Sequence, residues 1–378
     1  MPHARRVTQT TGDLLRLLSD GRPRSRGLLV EETGLPRSAV SARLDELTAA
    51  GWLVRSEDLP SSGGRPASRI AFNSSSRGIA AIDLGASHAT IAITDLDGDV
   101  LAERRESIRI ADGPEAVLGH ALDVVDELGA GLHDVRVAGV GIGVPGPVEH
   151  ASGRPVKPPI MPGWDRFDIP AFLRDRIPVP ALVDNDVNLL ALGEHARRYP
   201  EIDDLIFVKV STGIGAGIIS GGSLQRGALG AAGDLGHVQV PSEHGEADLE
   251  SIASGAAIAA RLGAASTSAF VARLRTGDGD AVAATRAAGR DIGEVLATCV
   301  NLLNPSVIVI GGSIAEAGQE VLAGVREVVY RRSLPLATQA LDIVQASGDP
   351  AGGVRGAALM VRRHLFAPGN IDVLLAGA

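Results

Sequence analysis

The chain has 378 residues, 45% of them hydrophobic, and a net charge of −9, enough apolar material for the cores of two or three domains. That charge excludes indiscriminate polyanion binding by the whole chain, the single Cys299 excludes a disulfide framework, and no run approaches the ~18 apolar residues of a membrane span. An amino terminus without the apolar core of a secretion signal adds the expectation of a cytoplasmic protein with no membrane partner. Charge is unevenly spread: residues 1–72 hold eleven Arg against eight Asp and Glu, so a slightly basic module precedes an acidic body.

Three helical patterns open the chain. "TGDLLRLLSDG" has Thr11 as its cap and turns Leu14, Leu15, Leu17 and Leu18 to its apolar side. "SRGLLVEETG" runs from Ser25 to Gly34, and "PRSAVSARLDELTAAG" carries Pro36 in its first turn and stops at Gly51. Only "GLP" separates the last two, the spacing of a helix-turn-helix. Val40, Leu44 and Leu47 share one face of the third helix, which leaves Arg37, Ser38, Ser41 and Arg43 to enter a major groove. Strand-like runs at 52–55 and 69–72 then flank a Gly, Ser and Pro-rich loop, a wing whose Arg65 is placed to reach a phosphate or a narrow minor groove. Residues 1–72 resemble the winged-helix domains of bacterial transcription regulators. The resemblance implies double-stranded operator DNA as a partner and a homodimer or homotetramer spanning two half-sites.

Beyond a linker at 73–77, short apolar strands alternate with helices. "GIAAIDLGASHATIAITDLDGDVLAERRESI" reads as three strands joined by tight turns, and "DVRVAGVGIGVPGPV" as a further strand ending in Gly and Pro. "LIFVKVSTGIGAGIISGG" is a second hairpin with a Gly-rich turn, and "PSVIVIGGSIAEAG" a strand running into a Gly pair at a helix start. Backbone N–H groups at such turns can hold phosphate oxygens, although any one of them is as readily a plain turn. "VDNDVNLLALGE" ends an apolar strand in Asp184, Asn185 and Asp186 before becoming a helix, the way α/β enzymes present a carboxylate. Cys299, in "ATCVNLL", reads as a core thiol.

From Gly78 nearly to the carboxyl end, these loops resemble the ROK family of repressors and sugar kinases, and the winged helix marks the regulator branch. The resemblance implies an actin-like ATPase (ribonuclease H-like) α/β body, residues 78–378, duplicated in halves at about 78–185 and 186–378. It implies that Asp83, Gly85 and Ser87 form a first phosphate loop, Thr212, Gly213 and Gly215 a second, and Gly311 and Gly312 an adenosine loop. Gly146, Asn185, Asp186, Asp234, His237 and Glu250 match sugar contacts, with Trp164 of "PGW" in its expected place and Asp186 the general base of a kinase.

Departures bear on activity. Family members usually carry three cysteines that hold a structural zinc with a histidine, and the corresponding "GHVQVPSEHGEADLESIASG" has none, which rules that site out. Glu243, His244, Glu246 and Asp248 could offer an oxygen-rich substitute, the plainer reading being a solvated acidic loop without metal. Ala86, Ser87 and His88 replace Gly, Thr and Lys in the first phosphate loop, and Ser211 and Ala216 replace Gly at the second. Asp234 replaces Glu, and Ile160 a sugar-contacting Asn. A Cβ in a phosphate cradle restricts the approach of ATP. The expectation is a sugar-responsive transcription regulator, a repressor, with a sugar or sugar phosphate as effector and no cofactor. Two alternatives stay open: a carbohydrate kinase with a DNA-binding head, using ATP, Mg²⁺ and Asp186, and a constitutive regulator with a silent pocket.

Overall fold

The computed structural model describes residues 10–56, 69–132, 135–242 and 245–376; Arg65, Glu243 and His244 lie outside them. The first three helices form where the sequence places them. α1 (Thr11–Leu18) is capped one residue earlier than expected, by Thr10 rather than Thr11, because Thr10 and Asp13 close a reciprocal capping box. α2 (Arg26–Thr33) is capped by Ser25 and ends at left-handed Gly34, and α3 (Arg37–Ala49) follows Pro36. Strands β1 (Arg24–Ser25), β2 (Leu53–Ser56) and β3 (Arg69–Phe72) form a sheet in the order β1-β3-β2, completing the winged helix around buried Leu14, Leu29, Leu44 and Trp52.

The body holds two five-stranded sheets of the same design. In the first, β4 (Gly78–Leu84), β5 (His88–Thr94) and β6 (Val100–Ser107) form an antiparallel meander. β7 (Val137–Val144) and β10 (Ala181–Asn185) join β4 in parallel, giving β10-β7-β4-β5-β6. The short β8 (Val148–Glu149) and β9 (Arg154–Pro155) pair after β7. One face of this sheet buries α4 (Pro114–Ala130) and α5 (Ile169–Arg174). Edge strand β6 alternates exposed Leu101, Glu103 and Arg105 with half-buried residues, which keeps the open edge charged.

α6 (Asp186–Arg198) leads to the second sheet: β11 (Leu205–Val210), β12 (Ile214–Ser220), β13 (Ser223–Gln225) and later strands, with β14 (Gln239–Ser242) and β15 (Gly245–Asp248) as a separate hairpin. Helices α7 (Leu249–Ala253), α8 (Gly255–Arg261), α9 (Thr267–Arg275) and α10 (Gly279–Leu303) precede β16 (Val307–Gly311). α11 (Ser313–Ala317), α12 (Glu320–Arg332) and α13 (Pro335–Thr338) come before β17 (Asp342–Gln345). The order β13-β12-β11-β16-β17 repeats that of the first sheet, strand for strand. Cys299 packs beside the second core, and burial raises its thiol pKa.

α14 (Gly352–Leu365) and α15 (Asn370–Ala376) follow the second sheet in sequence yet return to the first, where α14 packs on β4 and β7. A division at residue 186 therefore separates the strands but not the helices. α6 and α14 cross with their backbones touching: a Cβ on Gly193 would lie 2.2 Å from Gly352 O, and one on Gly356 would lie 1.8 Å from Leu189 O. Only glycine permits that approach. No helix among the described residues is long and apolar enough to cross a membrane.

Candidate functional site

The site is built on the amino end of α6. Asp184 is buried and accepts from Asn185 N (2.8 Å), Asn188 Nδ2 (2.7 Å) and Arg226 Nε (2.6 Å). Since Arg226 follows β13, this carboxylate ties the two halves together. Asn185 caps α6 through Val187 N (2.9 Å) and donates its amide to Gly146 O (3.0 Å). Asp186, 4% exposed, is the first residue of the helix, where the backbone dipole favours a negative charge. Lys209 Nζ, from β11, donates to its carboxylate at 2.5 Å.

Asp83 and His88 complete this cluster. Burial and the charge of Asp186 raise the Asp83 carboxyl to about 7, against a pull downward from Lys209. Burial opposes the Lys209 ammonium, but Asp186 and Asp83 outweigh it and hold its pKa above the usual lysine range. His88 is pushed down by burial and by Lys209, which favours neutral imidazole. Its ring lies across Gly85, where a Cβ would stand 2.6 Å away.

A second cluster surrounds the β11–β12 turn. Glu250 Oε2 accepts from Ile214 N (2.8 Å) and covers Gly213 and Gly236 so closely that a Cβ on Gly213 would meet it at 2.5 Å. Asp234 and His237 pair at 2.9 Å, and the hydrogen bond and charge of Asp234 raise the His237 pKa. Both are exposed, and no hydrogen bond or ion pair joins either to Asn185 or Asp186. The hairpin that replaces the cysteine segment is held by its own ladder, from Gln239 paired with Asp248 to Ser242 paired with Gly245, and by a Gln239–Asp248 side-chain bond. Among the described residues no group of three His, Cys, Asp or Glu side chains could hold a metal.

Residues 79–364 match the model of the ROK family, and residues 7–60 match that of the MarR family. The chain belongs to the ROK family. It is 29% identical over 378 residues to the DNA-binding transcriptional dual regulator NagC of Escherichia coli K12, covering 93% of this chain and 91% of NagC. It is 27% identical to the xylose repressor of Caldicellulosiruptor bescii, with coverage of 85% and 87%. A crystal structure of a ROK family transcriptional regulator, a homologue of the E. coli MLC protein, superposes with a TM-score of 0.81 at 25% identity, covering 99% of this chain and 100% of that one.

Against the ROK pattern, several glycines have packing duties that the sequence alone does not reveal. Gly146 packs on Pro158, where a Cβ would come within 2.8 Å, and its carbonyl serves Asn185. Gly215 stands 3.2 Å from Val187 by the same measure and lets α6 lie on β12. Gly312, at φ 89°, turns the chain from β16 into α11 beside Val210 O, and Gly311 abuts the Phe207 ring. Ser211 bonds Ser313 (2.9 Å), and its carbonyl, with that of Thr212, accepts from α8's first amides, Gly255 N and Ala256 N. Ser87 and Ile160 are exposed, whereas Trp164 is core, its indole donating to Ile110 O.

On α3, Val40, Leu44 and Leu47 are fully buried. Arg37 and Ser38 are exposed, while Ser41 and Arg43 are half-buried. At ~100° per residue, Ser38 and Ala42 lie opposite the buried stripe, with Arg37 and Arg43 on opposite flanks. Arg26 of α2 reaches over to Asp45 (2.9 Å) and Ser41 (3.4 Å). Sequence reading missed Lys209 and Arg226, and it placed Asp184 at the strand's end without its partners. One signal was available for Lys209: in a chain with 36 basic residues only Lys157 and Lys209 are lysines, and a lysine kept inside an apolar strand indicates a need for a compact ammonium.

Proposed function

We infer that this ROK protein is a sugar-responsive DNA-binding transcription repressor and not an enzyme. The observation that carries the reading is a winged helix joined to a kinase-type body whose would-be base is already engaged: Asp186 is ion-paired with Lys209. A general base must be free to accept from a substrate hydroxyl, and the Lys209 ammonium at 2.5 Å already occupies that carboxylate as a donor. The same geometry does not fit ATP with Mg²⁺, because Lys209 already supplies the cation beside Asp186 and Asp83 and the His88 ring covers Gly85. No phosphoryl-transfer step follows from these residues.

The carboxylate can still recognise. Asn185, Asp186, Asp234, His237 and Glu250, with the Gly146 turn, offer donors and acceptors for sugar hydroxyls along the cleft between the halves. Closure on a sugar would be felt at the α6–α14 crossing. α14 leads to Phe366, which packs edge-to-face on Trp52 (6.3 Å) and Phe72 (5.5 Å) of the winged helix, a route from pocket to DNA reader. We place the protein in the cytoplasm as a symmetric oligomer, with α3 in the major groove of each operator half-site.

The test is fluorescence anisotropy of the full chain on DNA upstream of its own gene, at fixed salt, across a panel of sugars and sugar phosphates. One sugar should release the DNA, and Asp186→Asn should keep DNA affinity while weakening that sugar's effect about tenfold or more. An Asp186→Asn chain that responds as the wild type does would refute the pocket. Specific binding indifferent to every sugar would favour a silent pocket, and ATP-dependent sugar phosphorylation would overturn the reading altogether.

A further inference from the structure

A second cavity lies at the opposite end of the first sheet. The sugar cleft uses the carboxyl ends of β4, β7 and β10, where Asp83, Gly146 and Asn185 sit. This cavity, about 320 Å³, opens at their amino ends, between the winged helix and α14–α15. Its apolar wall is formed by Trp52, Pro178, Pro180, Leu365 and Leu374. Its polar lining is Arg77, Arg136, His364 and Asn370, and the two arginines bring the positive charge. Arg77 and Arg136 immediately precede the adjacent parallel strands β4 and β7, and the Gly78 N to Arg136 O bond (2.9 Å) sets them side by side.

Arg77 is half-buried, stacks over the Trp52 ring at 4.8 Å and donates to Ser76 O (2.7 Å). Among the described residues no carboxylate pairs with it or with Arg136 within 4.0 Å. Burial, together with the neighbouring charge of Arg136, depresses the Arg77 pKa. Two like charges beside an apolar hollow, one of them partly desolvated, form an arrangement that a bound anion would stabilise.

We propose that this cavity is a second effector site that takes a small amphipathic carboxylate, its anion between Arg77 and Arg136 and its apolar body against Trp52, Pro180 and Leu374. The volume is at the low end for ligand pockets and suits a compact molecule. Such a ligand touches three parts at once: Trp52 in the DNA reader, Arg77 in the linker and α14–α15 in the body. It thereby biases how the reader is seated. The binding claim is independent of the regulator reading; only the effect on DNA rests on it.

Calorimetry of the full chain with octanoate, and with octanol as its uncharged counterpart, tests the site. Octanoate should bind in preference to octanol, and Arg77→Gln with Arg136→Gln should weaken it about tenfold or more. Val373 lines the cavity yet is 73% exposed, so Val373→Asp places a rival carboxylate there without disturbing the core and should weaken octanoate similarly. No heat with octanoate, equal binding of octanol, or wild-type affinity in both variants would overturn the site. In anisotropy, octanoate should change operator affinity in the wild type and not in Val373→Asp. Binding without that change would overturn the coupling, and a chain that binds octanoate but no operator would fail the regulator reading instead.

Discussion

The two sheets of the body present the same position with opposite charge. Asp83 is the next-to-last residue of β4 paired across its hairpin, opposite Thr90, and is also the last to pair with β7, opposite Gly143. Lys209 is the next-to-last residue of β11 paired across its hairpin, opposite Gly215, and is also the last to pair with β16, opposite Gly311. Duplication has thus placed a carboxyl on one side of the cleft and an ammonium on the other, both acting on Asp186. The charge of Asp186 helps to raise the Asp83 carboxyl. The lysine gives Asp186 an ammonium partner at 2.5 Å, so the two halves meet that carboxylate with different groups.

Removing the ammonium is the most severe way to break this relation. Lys209→Met leaves Asp186 with 4% of its surface exposed and no counter-charge. Loss of one partner of a buried pair costs about 3–5 kcal/mol, and the 24% exposure of the Lys209 side chain argues for the lower figure. Denaturant titration near pH 7 should show the loss, and adding Asp186→Asn to Lys209→Met should recover part of it. Unchanged stability in Lys209→Met would mean that the pair does not hold the cleft together.

Asp83→Asn sharpens the comparison through pH. The unfolded Asp83 carboxyl titrates near 3.8 and the folded one at about 7. Below the lower value both states carry the proton. Between the two, the unfolded chain releases it while the folded chain keeps it, so stability falls as pH rises through this window and the loss is complete above it. An asparagine cannot titrate. The variant should therefore gain on the wild type between about pH 4 and about pH 7, with a slope of at most about 1.4 kcal/mol per pH unit. A stability difference that stays constant across that range would remove Asp83 from the coupled set.

Much of this frame is legible before any coordinates. Apolar periodicity and turn residues locate α1 to α3, the β4–β5 and β11–β12 hairpins and the strand leading to Asp184, because each depends on neighbours close in sequence. The return of α14 to the first sheet is less visible, since its partners, Leu189 and Gly193 of α6, lie some 160 residues away and the crossing is marked in sequence only by the glycines Gly193, Gly352 and Gly356. Glycine has two uses, turning a loop and admitting another backbone, and composition does not tell Gly215, which admits α6, from Gly312, which turns the chain. Lys209 escaped because the family pattern draws attention to loops and the lysine stands inside a strand. Aligning the halves on Asp83 would have found it.

The counterpart of Asp83 and Asp186 on the other side of the β11–β12 turn is Glu250, and there the geometry assigns a different kind of work. Its Oε2 accepts from Ile214 N, and among the described residues no lysine or arginine pairs with it. Glu250→Gln keeps an oxygen where the amide needs one, and Glu250→Ala removes it and leaves the turn's N–H unpaired. The alanine variant should lose about 1–3 kcal/mol, the cost of an unsatisfied donor, and the glutamine variant well under that. A parallel NMR titration of His237 should show its pKa fall in both variants, because Glu250 contributes to holding it up. If glutamine proves as damaging as alanine, charge rather than hydrogen bonding governs this turn, and the contrast with Lys209 and Asp186 disappears.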